Sequence, residues 1–75
     1  MPPVEEHRIL CHLDQILQAK DITLVELSSL VGISVANLSI LKNNRAKAIR
    51  FSTLTALCEV LQCTPGELLS IENDL

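Results

Sequence analysis

Between Thr23 and Ser34 the chain starts a helix, stops it and starts another, with a single residue of connection to spare. Thr23 is followed three residues later by Glu26, the spacing of a capping box, so Thr23 reads as a helix N-cap. Ile22 and Leu27 occupy the two positions of a hydrophobic staple across that cap. Gly32 can take the left-handed conformation past a helix end without steric cost, which places the stop near Val31. Only Ile33 then precedes Ser34, a second good N-cap, and Ile33 with Leu38 repeats the staple. The next helix is expected from Val35 to about Asn43, where Asn43 and Asn44 supply the other residue type that tolerates a left-handed cap. Helices this short are marginal alone and must be held by packing.

The flanking segments provide that packing. From Glu5 to Lys20, apolar residues recur at Ile9, Leu10, Leu13, Ile16 and Leu17, one face of a helix with acids at its start and a base at its end. After the paired helices, Ser52 is expected to cap a fourth helix carrying Leu54, Leu57, Cys58 and Leu61 on one side. Thr64-Pro65-Gly66-Glu67 is a second capping box with proline at the first helical position, opening a short fifth helix with Leu68, Leu69 and Ile71. The expected fold class is all-α: a compact five-helix bundle over residues 5–71, with short tails at 1–4 and 72–75.

Seventy-five residues make one domain. A chain of this size buries only about 60% of its unfolded surface, which leaves little room for a catalytic pocket and its supporting shell. Hydrophobic residues are 48% of the chain, too many for a disordered segment. Phe51 is the single aromatic, which argues against the stacking platforms of single-strand and RNA binders. No stretch approaches the ~20 apolar residues of a membrane span, and the N-terminus lacks a secretory signal. Cys11, Cys58 and Cys63 are an odd set, too few for a disulfide framework, and fit a reducing cytoplasm. Cys58 and Cys63 read as small core residues. His7 and Cys11, four apart with His12 adjacent, lack the further ligands of a structural zinc site. Neither a nucleophile with its base nor a phosphate-cradling glycine loop is recognisable. The expectation is a protein without enzymatic activity, metal or cofactor.

Net charge is −3, but four of the six basic residues, Lys42, Arg45, Lys47 and Arg50, fall in one acid-free nonapeptide that carries +4. The rest of the chain holds the other two bases and nine acids, or −7, and no acid lies between Glu26 and Glu59. This is a local positive patch on an acidic body, the footprint expected for phosphate contact. Its bland alternative is an ordinary charged loop.

A helix, a glycine-containing turn and a second helix trace the helix-turn-helix outline. The segments ITLVELSSLVGISVANLSILKNN and FSTLTALCEVLQCTPGELL closely resemble the phage-repressor/Cro-like helix-turn-helix family, over about residues 8–70. The resemblance implies a lambda-repressor-like DNA-binding domain, with the helix-turn-helix at helices two and three. It implies helix three in the major groove of double-stranded DNA and a homodimer on a palindromic operator. The function it implies is sequence-specific transcriptional regulation, with repression expected, in a prokaryotic or phage-encoded cytoplasmic, nucleoid-associated protein. Carried onto this sequence, base-facing positions fall on Val35, Ala36, Asn37, Ser39 and Ile40, and phosphate-facing ones on Thr23, Leu24, Lys42, Asn43 and the loop that follows. Leu24 stands where members commonly carry Gln, Asn44 where Gly is common, and Val35 and Ala36 where polar readers are frequent.

The residues themselves point the same way. With Leu38 and Leu41 turned inward, Ala36, Ser39, Ile40 and Asn43 lie outward. Asn37 can grip adenine in bidentate fashion, while Val35, Ala36 and Ile40 can meet thymine methyl groups. The backbone beside Ser34 can meet a phosphate, and Arg45 and Lys47 share a face suited to the same role. The apolar outward face keeps an alternative open: a protein-interaction or antitoxin-like adaptor module on the same fold, docking through Val35 and Ile40. A C-terminal surplus of apolar residues, Val60, Leu69, Ile71 and Leu75, is expected to form the homodimer interface.

Overall fold

A computed structural model describes residues 7–72. Five helices follow a short strand and precede another: β1 (Ile9–Cys11), α1 (Leu13–Lys20), α2 (Leu24–Val31), α3 (Val35–Lys42), α4 (Phe51–Leu61), α5 (Pro65–Leu68) and β2 (Leu69–Ile71). Local signals placed the starts of α2, α3 and α5 where the structure has them. Thr23 and Glu26 form the reciprocal capping box at 3.1 Å each way. Thr64 and Glu67 repeat it at 2.8 and 3.2 Å, with Pro65 opening the helix. Ser34 accepts from the Asn37 N–H at 3.1 Å.

The helices end as sharply as they begin. Gly32 closes α2 at φ 73°, its N–H donating to the Ser28 carbonyl at 2.9 Å. The other left-handed residues are not glycines: Asp21 (φ 56°), Asn44 (φ 59°) and Gln62 (φ 52°). Each sits in a Schellman motif. Its own N–H reaches back three residues, and the next N–H reaches back five: Ile22 to Leu17 at 3.0 Å, Arg45 to Ile40 at 2.9 Å, Cys63 to Cys58 at 3.0 Å.

Those reversals converge the helices on a core of eight leucines and one cysteine: Leu13, Leu17, Leu27, Leu38, Leu41, Leu57, Leu61, Leu68 and Cys11. Every helix contributes at least one. Each fully buried leucine is worth about 1.5–3 kcal/mol of transfer free energy. Ile16, Ile22, Val31, Ile33, Ile49 and Leu54 pack partly buried around them.

Three expectations need correction. The bundle is not purely α, because β1 and β2 pair antiparallel, with Leu10 opposite Ser70 and Ile9 opposite Ile71. The ladder extends at both ends, where the His12 N–H donates to Leu68 and the Glu72 N–H to Arg8, each at 2.7 Å. Ile9 and Leu10, which fit a helical face, are taken by a strand partner some sixty residues away, so the first helix begins at Leu13. At the other end Leu69 turns to extended backbone (φ −125°, ψ 142°), which stops α5 at Leu68 and leaves Leu69 and Ile71 in β2.

The second correction is at α4, which is capped two residues before Ser52. Arg50 is its N-cap, without a side-chain cap, and its carbonyl accepts the first helical bond from Leu54 at 3.0 Å. Ile49, packed on the core, delivers the chain to that earlier start. The third concerns the C-terminal apolar surplus. Val60 and Leu69 pack against the core, while Ile71 is 66% exposed. Glu5, Glu6, Leu75 and the 1–4 tail lie outside the described residues.

The non-glycine caps make a testable contrast. Gln62→Gly should raise stability by about 0.5–1 kcal/mol, because glycine enters the left-handed region without the Cβ penalty. Asn44→Gly should instead lower it by about 1 kcal/mol, since the Asn44 side chain hydrogen-bonds the Cys11 backbone. Urea unfolding of both variants checks the pair, and equal shifts of one sign would refute it.

Candidate nucleic-acid interface

The chain bends by 118° between α2 and α3, within the angle a helix-turn-helix requires. The bend is stitched from inside. The Ser28 hydroxyl, half-buried on α2, donates to the Ile33 carbonyl at 2.6 Å, satisfying a turn carbonyl that neither helix can pair. Small Ser28 therefore both admits the close approach and pins it.

Leu38 and Leu41 point into the core, which turns the opposite side of α3 outward. Ala36 and Ile40 (44% exposed) lie on that outer side, and Val35 (39%) and Asn37 are exposed on its flanks. The structure thus exposes four of the five expected base-facing residues. Ser39 is half-buried, and its hydroxyl accepts from the Asn43 side-chain amide at 3.1 Å. Asn37 and Ile40 also line an open groove whose far wall is Ala46, Ala48, Ile49 and Arg50. The basic loop thus stands beside α3 across a shallow channel.

The expected phosphate-facing residues divide into two groups. Thr23 and Ser34 spend their hydroxyl oxygens on helix caps, and Asn43 folds its amide onto the Ser39 carbonyl at 2.9 Å. The Thr23 and Asn43 N–H groups are spent as well, on Glu26 and the Ser39 carbonyl, so the Thr23 and Ser34 hydroxyl protons are what these caps leave for a phosphate. Leu24, which stands where Gln is common, is half-buried against the core. Arg45 and Lys47 are exposed and form no ion pair among the described residues. Lys42 Nζ lies 3.7 Å from Asp14 Oδ1, with both side chains more than a third exposed. A pair of that kind is worth at most about 1 kcal/mol in water, so a stronger anion displaces it readily.

What holds the basic loop was missed by the motif reading. Asn44 accepts from the Cys11 N–H through Oδ1 at 2.6 Å and donates to the Cys11 carbonyl through Nδ2 at 3.4 Å. Its amide therefore acts as one residue of a third strand on the outer edge of β1. Two residues on, the Ala46 carbonyl accepts from His7 Nε2 at 3.0 Å, while His7 Nδ1 accepts the Ile9 N–H at 3.0 Å. That pairing fixes His7 with its proton on Nε2. The outward N–H groups of β1, at Ile9 and Cys11, are thus both taken. His12 turns elsewhere, bonding Ser70 Oγ at 2.6 Å, so the histidines and Cys11 are separately employed. Burial pushes the Cys11 thiol above its ordinary range.

The only signal for this anchoring was the asparagine at a left-handed position. A glycine there would supply the turn but not the two hydrogen bonds.

Comparison with known proteins agrees with this geometry. Residues 12–74 match the model of the Cro/C1-type HTH DNA-binding domain. The chain is 50% identical over 66 residues to YozG of Bacillus subtilis (strain 168), described as an uncharacterized HTH-type transcriptional regulator, covering 88% of this chain and 79% of that protein. The crystal structure of the transcriptional regulator VanUg, form II, superposes with a TM-score of 0.73 at 24% identity, over 99% of each chain, a likeness of fold. A family match across most of the chain and a relative of this identity place the protein in the Cro/C1-type helix-turn-helix family of DNA-binding transcriptional regulators.

Proposed function

We propose that the protein is a sequence-specific regulator, a repressor by simple occlusion, that sets α3 into the major groove of duplex DNA. The observation that carries the reading is the pairing of exposed α3 residues with the acid-free loop that follows across one channel, a loop that carries +3 and, with Lys42 at the helix end, +4. In this reading Asn37 supplies direct base readout, and Val35, Ala36 and Ile40 meet thymine methyl groups. Ser39 contributes at the rim of the face. Lys42, Arg45 and Lys47 hold phosphates through side chains; Thr23 and Ser34 do so through the hydroxyl protons that capping leaves free, and Asn43 by turning its side-chain amide from Ser39. No metal or cofactor is called for.

A palindromic operator requires a second copy. Support comes from the small sheet. The outer edge of β1 is occupied by His7 and Asn44, whereas β2 presents Ile71, 66% exposed and opposite Ile9 at 41%. A symmetric dimer through β2 buries that apolar pair, and two-fold symmetry then sets two α3 helices about 34 Å apart, one turn of duplex. Among the described residues no single helix is long and apolar enough to cross a membrane. A cytoplasmic, nucleoid-associated regulator is the setting this reading assumes. The rival reading, a protein-docking module using Val35 and Ile40, rests on their apolar exposure alone.

Random-sequence duplex selection at near-physiological salt separates the two. Enrichment of a palindrome supports regulation; the absence of any enriched sequence at micromolar protein overturns it. With three or four basic residues per subunit on phosphates, the slope of log K against log salt concentration should be roughly −5 to −7 for a dimer. A Lys42/Arg45/Lys47 triple alanine variant should weaken binding to all sequences alike, and unchanged affinity would remove the loop from the interface.

Asn37→Ala should relax preference at one base pair, costing about 1–3 kcal/mol there, while leaving the thermal midpoint near the parent's. If the variant keeps the parent's preference, Asn37 is ordinary surface.

Sedimentation equilibrium at tens of micromolar should give a dimer for the parent chain and a monomer for Ile71→Glu. A monomeric parent would refute a dimer that forms without DNA.

A further inference from the structure

The end of α4 holds a feature that DNA binding does not use. Gln62 is left-handed, the Gln62 N–H reaches Glu59 at 3.4 Å and the Cys63 N–H reaches Cys58 at 3.0 Å. In a Schellman motif the residues joined by that longer bond also bring their side chains together, usually as an apolar contact. Here both are cysteines. Both are half-buried rather than sealed and both are free, and, after burial, Cys58 is among the groups that hold the Cys63 thiol up. Two cysteines on one turn, their backbones joined by a 3.0 Å hydrogen bond, have the backbone proximity that a disulfide demands.

We propose that Cys58 and Cys63 form a reversible intrachain disulfide site, taking a low-molecular-weight disulfide such as oxidised glutathione as the oxidant. One thiolate attacks the glutathione disulfide and releases one glutathione thiolate. The second cysteine, as thiolate, then attacks the protein sulfur of the mixed disulfide and expels the other glutathione. The protein loses two protons and two electrons, and one glutathione disulfide becomes two glutathiones.

The surroundings make the site slow to start and fast to close. Burial foremost, then Cys58 and Glu67, hold the Cys63 thiol above its ordinary range, with Lys20 opposing them. The thiolate is therefore scarce at neutral pH, and the first step accelerates as pH rises toward and through the ordinary thiol range. Once the mixed disulfide exists, the neighbouring sulfur is already in place. Cys11 ends β1, buried in the core, with no other cysteine near it in sequence. The new bond closes the turn that leads from α4 into the α5 capping box.

The test treats the reduced full chain with glutathione disulfide at mildly alkaline pH, followed by mass spectrometry and peptide mapping. The expected product is a monomer lighter by two hydrogens, with residues 58 and 63 linked, formed equally by Cys11→Ser. Cys58→Ser and Cys63→Ser should each stop at a glutathione adduct. The oxidised parent should melt several degrees higher than the reduced one and return on adding dithiothreitol. A stable glutathione adduct on the parent, a linkage through Cys11, disulfide-linked dimers, or an oxidised form that melts no higher would each overturn the proposal.

Discussion

A helix of eight residues stays folded only if the chain leaves it pointed at a partner, because its own hydrogen bonds barely repay the cost of nucleation. Four left-handed residues, Asp21, Gly32, Asn44 and Gln62, do that work for α1 to α4. Each reversal lets the next segment return across the leucines of the last, so that a core almost wholly of leucine closes without an aromatic residue. In the Schellman turns the residue after the reversal also covers the helix it has just left, as Ile22 does for α1 by bonding back to Leu17. Backbone geometry and burial are thus satisfied by the same few atoms.

This dependence explains what could be read from the sequence. N-caps are chemical signals within four residues: a hydroxyl, reinforced at Thr23 and Thr64 by a glutamate three positions on. Thr23, Ser34 and Thr64 were visible for that reason. Gly32 was visible because glycine announces a positive φ. Asp21 and Gln62 were not, since neither residue type advertises the left-handed region, and tertiary packing puts them there. The strands were invisible for a different reason. Ile9 and Ile71 are neighbours only because the whole bundle has brought them together, and in isolation Ile9 and Leu10 satisfy a helical period equally well. Arg50 replaced Ser52 as the start of α4 because Ile49 docking on the core outweighs the hydroxyl cap.

The candidate interface divides along the same line. The outer face of α3 follows from periodicity once Leu38 and Leu41 are known to be inside, and the charge of the loop needs only counting. What could not be counted is how a loop with so few apolar residues stays beside the helix. Asn44 answers it with one side chain in two capacities. Its backbone ends α3, and its amide pairs with both polar groups of Cys11, tying the end of the helix to the edge of the sheet. His7 adds a second tie at Ala46.

The same ties bear on the electrostatics. A chain of net charge −3 repels DNA at long range, but at physiological ionic strength charges are screened beyond about 8 Å. Within that distance a phosphate meets the local surface rather than the total. A mobile basic loop would average its charge over many positions and lose side-chain and backbone entropy on each contact. Anchored at Asn44 and Ala46, the loop presents Arg45 and Lys47 from a fixed backbone, so less ordering remains to be done on binding. Lys42 is the exception, already drawn toward Asp14 on α1. Its exchange of that weak, solvent-exposed partner for a phosphate would cost little and would leave Asp14 facing water rather than DNA. In the proposed interface, then, specificity resides on α3 and attraction in the loop, and a single asparagine keeps the two in register.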